Sequence, residues 1–248
     1  MSREIFWLFD LDNTLHDASH AIFPAITANM NAFMARKLGD GTTPADAETV
    51  NAARLNYWRR YGATLLGMVK HHNVRIEEFL HAAHQFDDLP SMIRAERGVQ
   101  RFLKRLPGHK ILLTNAPKRY SSEVIRHLGL HRHFAQHIPI ESMHVHRSLR
   151  PKPSKHLLRK VLMKHKIKPQ HCVLVEDSVQ TLKAAKSLGM RTVLITQYLS
   201  GKAYPCNNSV NFAQPERRNR PTYIDVKVKS IRQLSGKLHR LRPQPFSL

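Results

Sequence analysis

Two aspartates one residue apart, Asp10 and Asp12, follow directly on the apolar run at residues 5–9 and lead into Asn13-Thr14-Leu15. Carboxylates so close repel one another unless a cation or a proton intervenes. Just past the C-terminal end of a strand, they lie where open α/β sheets hold their ligands. Three further apolar or rigid segments end in complementary groups. Leu112-Leu113 runs into Thr114-Asn115, a hydroxyl and an amide able to donate to anionic oxygens. Arg150-Pro151-Lys152-Pro153 fixes a lysine between two prolines. Val173-Leu174-Val175 ends in Glu176-Asp177, and Ser178 is placed to cap the helix that follows. Four carboxylates, a lysine and a hydroxyl gathered at one sheet edge would hold Mg²⁺ through hard oxygen ligands and a phosphate dianion through cationic and neutral donors.

Such a gathering requires a sheet. Residues 5–9, 110–114, 137–140, 172–175 and 191–196 read as buried strands, because near-continuous Val/Ile/Leu runs bounded by turns suit a parallel sheet covered on both faces. Helical patterns separate most of them. Residues 121–128 end at Gly129, residues 154–165 follow Pro153, and residues 178–188 place Val179, Leu182, Ala185 and Leu188 on one face before Gly189. Strand–helix alternation predicts a doubly wound, Rossmann-like α/β parallel sheet flanked by helices. Residues 18–94 break the alternation with helical pattern alone, in helices over 21–38, from an N-cap at Thr43-Pro44 to about Tyr61, and over 76–86. They are expected to form an inserted all-helical cap at the sheet's active edge. The core would then comprise residues 1–17 and 95–200. A basic C-terminal extension, 201–248, would hold at most one edge strand, over 222–228, before loosely ordered chain.

Composition narrows the function classes. With 42% hydrophobic and 23% charged residues, the 248-residue chain has the makings of a globular core and not of a disordered one. No apolar run is long enough to span a bilayer, and the short run at the start lacks a small-residue cleavage site. The two cysteines, Cys172 and Cys206, suggest a reducing cytoplasm and no disulfide framework. The 17 histidines include His71-His72, His131/His133 and His144/His146, but no tetrahedral zinc set is evident, and they read as surface residues. Lys and Arg number 40 against 18 Asp and Glu, a formal charge of +22. Ten of those cations fall in residues 200–248. The resulting field attracts anions, whether small phosphates or nucleic acid.

The order Phe9-Asp10-Leu11-Asp12-Asn13-Thr14-Leu15, Thr114-Asn115, Lys152 and Glu176-Asp177 resembles the four motifs of the haloacid dehalogenase (HAD) superfamily, over roughly residues 5–196. The resemblance implies a Mg²⁺-dependent phosphomonoesterase. Asp10 would be the nucleophile and a metal ligand, and Asp12 the general acid/base, also offering its backbone carbonyl to the metal. Thr114, Asn115 and Lys152 would hold the phosphoryl group, and Asp177 with Glu176 would complete the metal shell. An aspartate at position 12 can shuttle a proton, which favours phosphatase over dehalogenase chemistry. The segment Tyr57 to Met68, followed by His71-His72, is similar to the cap signature of the pyrimidine 5′-nucleotidase branch, as are Ile140-Glu141 and Glu176-Asp177-Ser178. That likeness implies a nucleoside 5′-monophosphate substrate such as UMP or CMP. His16 stands where relatives of that branch often carry tyrosine. Two alternatives stay open: the same chemistry on a sugar phosphate or phosphoglycolate, and a nucleic-acid-binding protein built on this scaffold, with the basic tail as its arm.

Overall fold

The computed structural model describes residues 4–199 and 221–241. Six strands form one parallel sheet: β1 (Phe6–Phe9), β2 (His109–Leu113), β3 (Gln136–Ile138), β6 (Cys172–Glu176), β7 (Arg191–Ile195) and β8 (Val226–Val228), in the order β3-β2-β1-β6-β7-β8. A separate two-stranded antiparallel ribbon joins β4 (His144–Val145) to β5 (Ser148–Leu149). Its two connecting residues, His146 and Arg147, both adopt positive φ. That conformation usually draws Asn or Gly, so this hairpin gives no turn signal in the sequence.

Register decides what meets at the sheet's edge. β1 lies between β2 and β6, with Phe9 level with Leu112 on one side and Val175 on the other. Asp10, Thr114 and Glu176 therefore leave three adjacent strands at nearly the same height. The pairing reaches past the strand ends: the Asp10 amide donates to Val175 O at 3.0 Å and the Thr114 amide to Ile138 O at 3.1 Å. Leu8, Leu112 and Leu174 of these strands are fully buried, as are Trp7 and Phe9 to within 1%. Each such side chain contributes about 1.5–3 kcal/mol of burial free energy. The frame around the edge is thus firmly packed.

Helices α6 (Val99–Arg105), α7 (Lys118–His127), α8 (Lys155–Lys164) and α9 (Val179–Lys186) connect the strands. Ser154 and Ser178 cap α8 and α9, their hydroxyls accepting from the amides of Leu157 and Thr181. The helix expected over 121–128 starts a turn earlier, after Pro117. Pro117 offers no capping side chain, and the Lys118 amide donates instead to the Glu141 carboxylate at 3.0 Å, a partner distant in sequence.

Residues 20–92 form a compact helical unit apart from the sheet-containing one. It comprises α1 (Ile22–Leu38), α2 (Ala47–Tyr61), α3 (Thr64–His72), α4 (Ile76–Ala83) and the short α5 (Leu89–Met92). Here one expectation is corrected, the second helix ends at Tyr61 as expected, and a further helix is added. The second helix is capped by Asp46, whose carboxylate accepts from the Thr49 amide at 2.7 Å, and not by Thr43. It stops at Gly62, which takes the left-handed conformation (φ 80°), and a separate helix α3 then carries His71 and His72.

The edge strand expected over 222–228 forms as β8, and the expectation for the chain after it is corrected. Residues 221–241 are not loose chain. β8 pairs in parallel with β7, and the 3₁₀ segment Ile231–Leu241 buries Ile231, Leu234 and Leu241. Asp225 locks the approach to β8. Its carboxylate pairs with Lys186 at 2.6 Å and accepts from the Thr192 amide at 2.9 Å. The remainder of the basic extension, 200–220 and 242–248, and Cys206 with it, lies outside the described residues. Cys172 is a buried, unpaired thiol in β6, and burial pushes it up to about 12. No helix among the described residues is long and apolar enough to cross a membrane.

Candidate active site

β1 ends in Phe9 and delivers Asp10 into a buried cluster. The Lys152 ammonium donates to Asp10 Oδ1 at 2.6 Å and to Glu176 Oε2 at 2.8 Å. All three residues are nearly closed to solvent, at 6%, 7% and 2% exposure for Asp10, Lys152 and Glu176. Asp177, half-buried, joins them: Asp10, Glu176 and Asp177 each offer a carboxylate oxygen, and these atoms lie within 4.8 Å of one another. Thr14 Oγ1 donates to Asp10 Oδ2 at 3.3 Å, and the Ser178 amide to Glu176 Oε1 at 3.3 Å.

The charge balance is incomplete. Three carboxyl groups share one ammonium, and each responds as a buried, crowded acid should. Burial, aided by Glu176, pushes Asp10 up to about 7 against the pull of Lys152. Burial raises Glu176 to about 7, Lys152 again opposing. Burial and then the Asp10 charge raise Asp177 to about 7. Burial works against the Lys152 ammonium, but Asp10 and Glu176 outweigh it and hold its pKa above the ordinary lysine value. A site rich in hard oxygen donors and short of positive charge fits one divalent cation of the Mg²⁺ type.

Lys152 reaches this cluster because its backbone is clamped. Asn115 Nδ2 donates to Lys152 O and the Lys152 amide donates to Asn115 Oδ1, each at 3.0 Å. The amide expected to meet phosphate thus also positions the lysine. Thr114, 1% exposed, accepts from the Ala116 amide with its hydroxyl oxygen at 3.1 Å, and that hydroxyl keeps its own hydrogen as a donor.

Asp12 takes a different course. Its Oδ1 accepts from the Tyr120 hydroxyl at 2.6 Å and from His16 Nε2 at 2.8 Å. Its carboxylate is accordingly not among the three that crowd Lys152. The turn that sends it there is fixed by Asn13 at positive φ, with Asn13 Oδ1 accepting from the Ser19 amide and hydroxyl. Burial, then the Asp12 charge, holds Tyr120 well above its ordinary range, so it remains a phenol and a donor. His16 is fully buried, and its Nδ1 meets no partner among the described residues. Sequence reasoning missed Tyr120 altogether. It lies 108 positions from Asp12, on α7, and no local spacing marks it. His16 at i+4 from Asp12 was the available signal.

The aromatic residues of the helical unit are occupied with one another. Tyr57 Oη lies 2.5 Å from His72 Nε2 and Tyr61 Oη 2.6 Å from His71 Nε2, while Tyr57 stacks on the His71 ring. Gly67 touches the Tyr57 ring so closely that no Cβ fits between them.

The sequence pattern of the haloacid dehalogenase-like hydrolases matches residues 8–189. Phosphoglycolate phosphatase 1 of Pseudomonas aeruginosa is 27% identical over 201 residues, 76% of this chain and 68% of that protein. The structure of a HAD phosphatase from Thermococcus onnurineus aligns with a TM-score of 0.60 at 18% identity, covering 94% of this chain and 97% of its own. A 2-haloacid dehalogenase from Pseudomonas syringae aligns with a TM-score of 0.57 at 20% identity, over 96% and 100%. Identities this low speak for the fold alone, and the fold serves both chemistries. The sequence match runs from within β1 through β6 and the whole of α9, taking in every residue of the buried cluster, and the chain belongs to the haloacid dehalogenase-like hydrolase family.

Proposed function

We propose that this chain is a Mg²⁺-dependent phosphomonoesterase of small phosphorylated metabolites, acting through a covalent phosphoryl-enzyme on Asp10. One observation carries the reading: a buried ammonium, Lys152, held 2.6 Å from Asp10 at the end of the central strand, within a cluster whose three acids outnumber it. Attack needs Asp10 ionised at a point where phosphate also places negative charge, and Lys152 favours both. Asp10, Glu176 and Asp177 would hold the metal, with the Asp12 backbone carbonyl. Mg²⁺ bound there supplies the additional neutralisation of phosphoryl oxygens that phosphoryl transfer demands.

The chain's own residues account for the remaining steps. A carboxylate oxygen of Asp10 attacks phosphorus, and the bond to the ester oxygen breaks. Asp12, as the carboxylic acid, gives its proton to the departing alkoxide. The Asp12 carboxylate then takes a proton from water as that water attacks phosphorus. The Asp10–phosphorus bond breaks and inorganic phosphate leaves. Tyr120 and His16 fix Asp12 for both transfers. Thr114 and Lys152 orient the phosphoryl oxygens, and Asn115 holds Lys152 in place.

Two considerations favour phosphoglycolate-like or sugar phosphates over UMP or CMP. A curated relative that aligns over 76% of the chain is named for phosphoglycolate. The tyrosines and histidines suggestive of base recognition are already bonded to each other. The test is phosphate release from 2-phosphoglycolate, glucose 6-phosphate, UMP and CMP, with Mg²⁺ and with chelator. Turnover of the small phosphates is expected, dependent on Mg²⁺ and abolished in Asp10→Asn, by at least about 10³-fold. Undiminished turnover in Asp10→Asn would remove the nucleophile assignment. A clear preference for UMP and CMP would restore the nucleotidase reading.

A further inference from the structure

Helix α6 buries Val99, Phe102 and Leu103 and turns a second stripe outward. That stripe is arginine: Arg97 just ahead of the helix, then Arg101 and Arg105, one turn of about 6 Å apart. Across from it the segment Ile231–Leu241 brings Arg232 and Ser235, and the five residues line one open cleft of about 410 Å³ floored by Phe102. Arg232 lies alongside Gly98, which enters α6 at a φ of 91°, a conformation that favours glycine.

Countercharge is scarce in this cleft. Glu96 approaches Arg232 at 3.7 Å, and Ser230 already donates to the same Glu96 oxygen. Arg97, Arg101 and Arg105 make no ion pair or side-chain hydrogen bond among the described residues. The other flank of α6 is positive too. His133, beside it, is held below its ordinary pKa by burial first and then by Lys110, Lys104 and His131. Like charges on one face repel, and an anionic partner relieves the repulsion while forming charge-assisted bonds.

We propose that the cleft between α6 and the Ile231–Leu241 segment is a docking surface for a nucleic-acid strand, gripped through its phosphodiester backbone. Several guanidiniums spread along two elements, with no enclosed pocket, suit a repeating anion better than a single phosphate. Arginine is the side chain fitted to phosphate forks, and the net charge of +22 supplies the long-range attraction. Contacts of this kind position a strand without reading its sequence.

The experiment is fluorescence anisotropy of a labelled oligothymidylate of about 20 nucleotides titrated with the full chain, repeated from about 50 to about 200 mM salt. The variants are Arg101→Gln/Arg105→Gln, the charge-preserving Arg101→Lys/Arg105→Lys, and Arg59→Gln/Arg60→Gln as a control of equal charge change on α2. Exposed glutamine and lysine keep helix propensity, and thermal melts verify that each variant folds. The first variant should bind about tenfold more weakly, and its log–log salt slope should be less negative by about 1.4, since each phosphate left unneutralised on a single strand accounts for about 0.7. The lysine variant should keep the parent slope, and the control should change affinity less than about threefold. Equal losses in the α6 and α2 glutamine variants, or no binding by the parent at the lowest salt, would overturn the proposal.

Discussion

Replacing Lys152 by methionine keeps the length of the side chain and removes the ammonium that a buried cluster of three acids shares. The structure sets the size of the effect. Lys152 Nζ lies 2.6 Å from Asp10 and 2.8 Å from Glu176, both essentially shielded from water. At an effective dielectric of about 20, each such contact amounts to about 6 kcal/mol before the desolvation of the ions is subtracted. Leaving the partners of a buried pair uncompensated costs about 3–5 kcal/mol in practice. The variant can escape part of this by taking up a proton. The carboxyls already sit near 7 in the presence of the ammonium, and its loss moves them higher. Acids whose folded pKa exceeds the unfolded value stabilise the native state below the unfolded pKa, and that stability is lost as pH rises through the folded pKa. The deficit of Lys152→Met relative to the parent is therefore largest near pH ~8 and smaller by about 1 kcal/mol or more near pH ~6. Urea unfolding at both pH values in chelator measures it. Added Mg²⁺ should recover part of the loss, since a ligand at about 100 times its Kd stabilises by about 2.7 kcal/mol. A variant within about 1 kcal/mol of the parent at the higher pH without metal would refute the charge balance on which the site is built.

Three further outcomes follow from particular contacts. Tyr120→Phe removes one of two donors to Asp12 Oδ1 and should lower kcat about tenfold, since a hydrogen bond to a charged group contributes about 1.5–3 kcal/mol and Asp12 retains His16 and some water. In kcat/KM, which reports the first phosphoryl transfer alone, the loss should be small for p-nitrophenyl phosphate, whose leaving group needs little protonation; an equal loss of kcat/KM on both esters would show that Tyr120 does not serve Asp12 as the acid. Gly67→Ala should lower the melting temperature, because the new methyl collides with the Tyr57 ring and overpacking costs about 1–3 kcal/mol. In an open helix the same change stabilises by up to about 1 kcal/mol, so the sign alone decides. Leu234→Ala should cost about 2–5 kcal/mol in denaturant unfolding, because Leu234 is fully buried beneath the Ile231–Leu241 segment; a neutral result would return that segment to loose chain.

What the sequence made legible was whatever is local. The five main strands announce themselves as apolar runs, and the group at each strand's end can be named because it follows within a residue or two. Parallel register then brings those ends to one height, which makes Asp10, Thr114 and Glu176 neighbours without any further information. The entrance to α7 and the β4–β5 hairpin were harder, because proline and two left-handed residues stand where other side chains usually give the signal. The C-terminal segment misled for a related reason. Its basic residues dominate the composition, while the apolar Ile231, Leu234 and Leu241 that seat it are few and spaced by threes and sevens. Charge on the outside of an amphipathic segment says little about what its other face buries.

The division within the site has the same origin. A cation close to Asp10 was suggested by chemistry, since crowded carboxylates need one, and the structure supplies Lys152, expected on the phosphoryl group, in a direct pair with it. The partner of Asp12 was not, because either a phenol from α7 or an imidazole four residues away satisfies a carboxylate equally well, and here both do. Two donors converging on one oxygen determine where the other oxygen of Asp12 points, and a proton shuttle depends on that direction more than on the identity of the acid. The strand ends thus fix which groups are present, and the side chains of α7 and the β1 loop fix how Asp12 is aimed. A family pattern records the first kind of information. The second must be read from contacts between distant residues, which is why the decisive variants here are Lys152→Met for the charge and Tyr120→Phe for the aim.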